Sequence, residues 1–394
     1  MSPRLRSLWK NLVLAGVSLL LTLAGLEAAA RTLHLGSGGF WEPHPLYGWR
    51  NIPGASGWES CYGNCAVPVT INRLGLRDRE IGYEAPDGHR RIVFLGDSMT
   101  AALQVPLEAT FVKLLEQQLN AAGPQGSWEV LNAAVNGYGT DNELLFFQHE
   151  ARKYEPEYVI LAIYLANDVY ENSHNLELAR GSTGPKPYFL LDDEGRLQLQ
   201  NFPVPETDSV TVRLGTFLKK HFQLPRFAAE ALRLRAQVPS FLQPVVRLLG
   251  GARGSPPAER GTADRDRGGD ICDPVYSAEI EEAWAITRAL ILQLRDEVGA
   301  DGARLAVLAI PASPQVKPPA EGEEWYCDRA NEVLDGFLEE QGIPYLDMLQ
   351  PFRDHMLAGG EPLYYTRDFH MNAAGQGLSG RLLYRFVVDE LLES

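Results

Sequence analysis

The sequence predicts an α/β fold in which a parallel sheet is covered by helices on both faces. Three observations carry this reading. From residue 91 onward, short apolar runs alternate with amphipathic stretches of helical length. The runs are apolar throughout rather than at every second residue, as in strands buried on both faces. The first run, Arg91-Ile92-Val93-Phe94-Leu95, ends in Gly96-Asp97-Ser98. A glycine-bearing turn at a strand's carboxyl end is where open α/β sheets place their active sites.

The chain has 394 residues, 45% of them hydrophobic. That is enough for a large core and for one elaborated domain or two. A formal net charge of -15 speaks against a nucleic-acid partner. At the amino terminus, Arg4, Arg6 and Lys10 flank an uncharged run over residues 12–26 in which Ser18 and Thr22 are the polar members. Spanning a bilayer takes roughly 20 apolar residues, a length reached once Ala28-Ala29-Ala30 is included and Glu27 sits at the interface. Residues 1–30 therefore read as a signal anchor in the inner membrane, basic side in the cytoplasm. The alternative is a signal peptide cleaved at the small residues Ala28-Ala29-Ala30. Both readings export the body, to the periplasm or beyond.

Residues 31–90 are rich in Gly, Pro, Trp and Tyr and read as a leader that packs on the body. Four cysteines allow three pairings. Cys61 with Cys65 and Cys272 with Cys327 are the favoured pairs, formed in an oxidising compartment. A zinc site is the rival, although no histidine has convincing spacing to complete it; free buried thiols stay open.

In the body, strands are expected over 92–95, 129–132, 158–164, 304–310 and 344–346. Helices are expected over 110–121, 141–153, 278–298, 328–341 and 373–392. Residues 91–170 and 275–394 form the sheet-bearing domain. Between them, 171–274 breaks the alternation. Two amphipathic helices are expected there, over 209–221 and 226–249, split by Pro225 and Pro239. Arg226, Arg233, Arg235 and Arg247 lie on the second, which reads as an interfacial helix, a lid or an ordinary packed helix. Residues 250–269 read as a flexible linker.

Ser98 alone is a weak signal, since a serine at a helix start commonly caps it. Three further segments strengthen it. Asn132-Ala133-Ala134-Val135-Asn136-Gly137-Tyr138-Gly139-Thr140 follows the second strand, and glycines there let backbone N–H groups face a developing oxyanion. Tyr164-Leu165-Ala166-Asn167-Asp168 follows the third, and the Asn167 carboxamide can donate to the same charge. Arg367-Asp368-Phe369-His370 precedes the last helix. In an extended segment, residues two apart share a side, so His370 can act as base while Asp368 holds its other nitrogen. His174, close after Asn167, is the rival base.

These pieces, in this order, resemble the SGNH (GDSL) hydrolase superfamily. The resemblance covers residues 91–170 and roughly 275–394. Ile71-Asn72-Arg73-Leu74-Gly75-Leu76-Arg77-Asp78 also resembles a leader of membrane-anchored bacterial members. The resemblance implies a flavodoxin-like three-layer α/β/α sandwich and ester chemistry. It implies Ser98 as nucleophile, His370 as base, Asp368 orienting His370, and the Ser98 N–H, Gly137 N–H and Asn167 side chain as oxyanion donors. Two positions depart from the family pattern. Leu165 stands where a glycine is usual, and Asp368 and His370 are spaced D-x-H rather than D-x-x-H.

The expected function is an exported serine esterase acting on esters, acetyl among them, of small molecules or envelope and exopolysaccharide glycans. The chemistry calls for no metal or organic cofactor. The alternatives are a polysaccharide O-acetyltransferase with the same triad, an idle binding module of the same fold, and a metal phosphoesterase using Asp97, Asp168, Asp368 and His370.

Overall fold

A computed structural model of the chain describes residues 2–36, 38–61, 65–123, 128–179, 185–205, 209–234, 271–319, 325–366 and 368–393. The amino-terminal helix Pro3–Thr32 is continuous, with Ser2 as its cap and proline at its first position. Its leucines are exposed, Leu20 at 68%. Among the described residues it is the one helix long and apolar enough to cross a membrane.

The segment after it forms two antiparallel pairs, β1 (Trp41–His44) with β2 (Gly48–Asn51) and β3 (Ser56–Glu59) with β4 (Val67–Thr70). The body continues with β5 (Arg90–Gly96), β6 (Trp128–Asn132) and β7 (Tyr158–Tyr164). Next come a hairpin of β8 (Tyr188–Leu191) and β9 (Leu197–Gln200), then β10 (Arg304–Ile310) and β11 (Tyr345–Asp347). The central sheet has the order β11-β10-β7-β5-β6 and is parallel throughout. Counted along the chain this is the 2-1-3-4-5 order of flavodoxin-like sheets, with the switch point between β5 and β7.

Strand pleating divides the core into two layers. Val93, Leu95, Leu161, Ile163 and Val307 face one side, where helices Thr140–His149, Ala278–Ala300 and Arg329–Glu340 pack. Ile92, Phe94, Ile160, Leu308 and Ile310 face the other, against helices Phe111–Ala122, Leu349–Leu357 and Ala373–Phe386. The expected strands and helices are all present, with three adjustments. The 141–153 helix ends at His149 and resumes as a tighter turn over Ala151–Tyr154. The last helix loosens into a wider turn over Val387–Leu392. The helix Leu349–Leu357 was not expected, although Asp347 accepting the Leu349 N–H and Pro351 in the first turn are start signals.

The insertion is only partly helical. The helix Val210–His221 is present with Ser209 as its cap. The second expected helix starts earlier, at Gln223, and is described to Leu234. Pro225 lies in its first turn, where proline is tolerated; the rest of 226–249 and the linker over 250–269 lie outside the described residues. The β8–β9 hairpin corrects the expectation of helices alone. Asp192 closes its turn by accepting the Glu194 and Arg196 N–H groups, and Gly195 takes φ +75°. Cys61–Cys65 and Cys272–Cys327 are both disulfide-bonded, with Cα atoms 5.2 and 4.7 Å apart.

Candidate active site

Ser98 comes directly after β5 and opens a single helical turn, Ser98–Ala101, at the switch point of the sheet. Asp97 caps this turn, its Oδ1 accepting the Met99 N–H at 2.8 Å. Gly96 serves the turn through close approach. A Cβ there would lie 2.5 Å from Thr100 Oγ1 and 3.3 Å from the Ala162 Cβ, so a side chain would push the turn off the sheet. As the first residue of the turn, Ser98 has an N–H without an intrahelical acceptor.

His370 arrives from the far end of the chain. Its Nε2 lies 2.8 Å from Ser98 Oγ, and its Nδ1 bonds Asp368 Oδ1. A carboxylate only accepts, so Nδ1 carries the proton and Nε2 is left to accept from the Ser98 hydroxyl. Ser98, Asp368 and His370 are 9%, 4% and 6% exposed. The expected extended backbone around Asp368 is corrected. Phe369 has φ +62°, a left-handed conformation costly for a side chain of its size. A local loop imposes it: the Phe369 N–H donates to the Tyr365 carbonyl at 3.1 Å, and the Tyr365 N–H to the His370 carbonyl at 2.9 Å. The turn brings Asp368 and His370 together despite their short D-x-H spacing. His174 does not join them; its ring stacks on Tyr188 at 3.8 Å.

Gly137 lies on the loop after β6 with φ +74°, a conformation suited to glycine. That loop is braced by the leader. Trp49 Nε1 donates to the Asn136 carbonyl at 3.0 Å, the Tyr138 hydroxyl to the Trp49 carbonyl at 2.6 Å, and Asn142 Nδ2 to the Tyr47 carbonyl at 2.8 Å. Asn167 lies just beyond β7. Its Nδ2 donates to Asp97 Oδ2 at 3.3 Å and to Glu171 Oε2 at 3.2 Å, so both amide hydrogens are engaged by carboxylates beside the serine turn. Leu165, where the family pattern has glycine, is buried in the core.

Sequence reasoning missed two groups around this centre. Arg77 is 1% exposed and donates to the carbonyls of Ala101, Ala102 and Val105. It thereby fixes the carboxyl end of the serine turn from the leader. Burial draws its guanidinium down to about 9, against the pull of Glu59 and Asp78. The second group is a set of buried acids. Glu143 and Asp168 are raised well above the usual carboxylate range by burial and by repulsion from Asp97 and Glu171. Lys186, from the start of the β8 hairpin, stands 2.8 Å from Asp141 Oδ2 and donates to the Glu171 carbonyl at 2.7 Å. Among the described residues, no three His, Cys, Asp or Glu side chains converge as metal ligands.

The family model described as GDSL-like Lipase/Acylhydrolase family matches residues 94–378. No curated protein matches the chain. Solved structures similar to it include the acetyl xylan esterase AlAXEase, at 12% identity over 75% of this chain and 99% of that one, TM-score 0.40. Another is the psychrotrophic esterase EstA from Pseudoalteromonas sp., at 15% identity over 77% and 100%, TM-score 0.37. A third is a catalytic mutant of Axe2, an acetylxylan esterase from Geobacillus stearothermophilus, at 14% identity over 77% and 96%, TM-score 0.39.

Proposed function

Because the chain belongs to the GDSL-like lipase/acylhydrolase family and is an ester-hydrolysing enzyme, we propose that it is an exported, membrane-anchored serine esterase with Ser98, His370 and Asp368 as its triad. The observation that carries this reading is the continuous hydrogen-bonded path from Ser98 Oγ through both ring nitrogens of His370 to Asp368. Ser98 Oγ attacks the ester carbonyl and its proton passes to His370 Nε2. Asp368 stabilises the imidazolium that forms. The Ser98 and Gly137 N–H groups and Asn167 Nδ2 hold the oxyanion, with Asn167 turning one hydrogen away from its carboxylate partners. The departing alcohol takes the proton from Nε2. Water, deprotonated by the same nitrogen, then releases the acid and restores Ser98.

Anchoring is supported by the exposed apolar helix Pro3–Thr32 and its basic start. Export is supported by the two disulfides. The buried setting of Ser98 favours a short acyl group, and an exported site has acetylated envelope glycans within reach. The deciding experiment is Ser98→Ala assayed on a short-chain aryl ester. Loss of about 10⁴-fold or more in kcat with unchanged thermal unfolding is the expected result. Wild-type turnover by the variant would end the assignment. A series of acyl chain lengths, together with acetylated oligosaccharides, tests the substrate class.

A further inference from the structure

An anchor in the bilayer fixes where the exported side's lipid headgroups lie. The apolar run of the anchor stops at Leu26, and Glu27 comes next. Glu27 accepts the Gln223 and Leu224 N–H groups at 2.9 and 2.8 Å, and Arg31 donates to the His221 carbonyl at 2.7 Å. The junction between helices Val210–His221 and Gln223–Leu234 is thereby tied to the point where the chain leaves the bilayer. A cavity of about 460 Å³ opens there, its walls including Arg31, Trp58, Thr70, Lys220, His221 and Gln223. Sites for small ligands have volumes of this order.

The charge at this corner runs against that of the whole chain, which is -15. Arg31 pairs with Glu27 at 2.7 Å, Arg226 lies close enough to feel both, and Lys220 stands in the cavity wall with its Nζ on the Pro53 carbonyl at 2.6 Å. Arg226 is 3% exposed, and among the described residues no carboxylate pairs with it. It donates to the carbonyls of Lys219, at 2.6 Å, and of Ser56 in the cavity wall, at 2.7 Å, and lies over the Phe40 ring 4.8 Å from its centroid; among the described residues its Nη2 has no hydrogen-bond partner. Burial and then the neighbouring Arg31 bring its guanidinium down to about 10, against the weaker pull of Glu27. A buried cation without a direct counter-charge is costly, and an anion in the adjoining cavity relieves that cost. The neighbouring helix indicates where the anion comes from. Val210, Leu214 and Phe217 are 81%, 43% and 51% exposed and share one face at helical spacing, while Lys219, Lys220 and His221 fill the last turn. Apolar residues on one side with cations at the end suit a helix lying among headgroups.

We propose that this cavity binds the phosphate-bearing headgroup of an anionic membrane lipid, with the Val210–His221 helix resting on the bilayer beside it. The site rests on the reading of Pro3–Thr32 as an anchor. The lipid then acts as a second point of attachment and sets the tilt of the catalytic body over the membrane.

The test uses the full chain in detergent micelles doped with phosphatidylglycerol, with phosphatidylcholine, or with inorganic phosphate alone. Retained lipid is counted by native mass spectrometry and thermal unfolding is followed in parallel. One phosphatidylglycerol retained per chain, with a raised Tm and no such effect of phosphatidylcholine, is the expected result. Lys220→Glu should lower retention at least tenfold. Thr70→Glu, at an exposed wall position whose side chain bonds to none of the described residues, should do the same if Lys220→Glu fails to fold. Equal retention of the two lipids, or wild-type retention by Thr70→Glu, overturns the proposal. A Tm rise with inorganic phosphate that phosphatidylglycerol does not exceed also overturns it, in favour of a free-anion site. An intact chain without lipid selectivity sinks this inference alone, whereas a mature chain beginning after Ala30 sinks the anchor reading with it.

Discussion

The serine and the histidine are held in place by different parts of the molecule. The serine turn is fixed from a distance. Arg77 in the leader ties down the carbonyls at its end, Asn132 Nδ2 from the end of β6 donates to the Thr100 carbonyl at 2.9 Å, and Asn167 beyond β7 reaches its Asp97 cap. The histidine is fixed locally. Asp368, Tyr365 and the Tyr364–Met371 bridge all lie within a few residues of it, and longer ties run from the Tyr365 hydroxyl to the Gln104 carbonyl at 3.1 Å and from the Tyr364 hydroxyl to the Pro311 carbonyl. The difference teaches that the serine's position is a property of the whole fold, whereas the histidine's position is set mainly within one loop. Substitutions on the base side should therefore cost rate and spare stability. Those on the nucleophile side should cost both.

The largest effect expected is that of Asp368→Asn. The amide cannot hold the imidazole in the tautomer that accepts from Ser98, so kcat should fall by about 10³- to 10⁴-fold, while the Tm stays within two degrees or so of wild type. A large loss of Tm would show that the histidine loop is also a structural keystone, and the contrast would fail. Next is Asn167→Ala. Removing one oxyanion donor should lower kcat by about 10²- to 10³-fold with little change in KM. A rise in KM alone would place Asn167 in ground-state binding.

Arg77→Met tests the nucleophile side directly. It leaves the carbonyls of Ala101, Ala102 and Val105, at and after the end of the serine turn, without their donor, a loss of about 3 kcal/mol. A displacement of Ser98 should lower kcat on the order of tenfold. Denaturant unfolding and ester kinetics on the same preparation read the two effects together. If stability falls and kcat does not, the leader supports the fold without positioning the nucleophile.

What the sequence made legible divides along the same line. Strands β5, β7 and β10 announced themselves through long apolar runs, because burial on both faces leaves little room for polar residues, whereas β6 and β11 are shorter and carry Glu129, Asn132 and Asp347. Ser98, Gly137 and Asn167 were visible because each sits at the carboxyl end of such a strand, where geometry limits what can be there. Asp368 and His370 were visible as a pair, but the left-handed Phe369 between them was not, since nothing in a phenylalanine signals that backbone. Arg77, Trp49 and Lys186 could not be read as structural. Each is a polar or aromatic residue in a loop or short strand, and its partners are distant carbonyls and acids that only the fold brings near. The β8–β9 hairpin was missed for a simpler reason. Leu197-Gln198-Leu199-Gln200 alternates and Asp192-Asp193-Glu194-Gly195 is a turn, yet the flanking helical patterns outweighed so short a signal.

The last prediction concerns the buried acids beside the serine turn, and it is read through pH. Glu143 has both carboxyl oxygens buried and without partners, and its native pKa lies well above its ordinary value of 4.5. The native state therefore keeps a proton that the unfolded state releases near pH 4.5. Where the native state binds more protons, stability falls as pH rises. Each retained proton gives a slope of about 1.4 kcal/mol per pH unit, from near 4.5 up to the raised native value. Wild-type stability should thus decline between pH 5 and pH 8. Glu143→Gln replaces the neutral acid with a neutral amide and should flatten part of that decline while leaving the protein as stable as wild type at pH 5. Thermal unfolding of wild type and Glu143→Gln across this range decides the matter. An undiminished slope in Glu143→Gln would mean that Glu143 does not carry the retained proton.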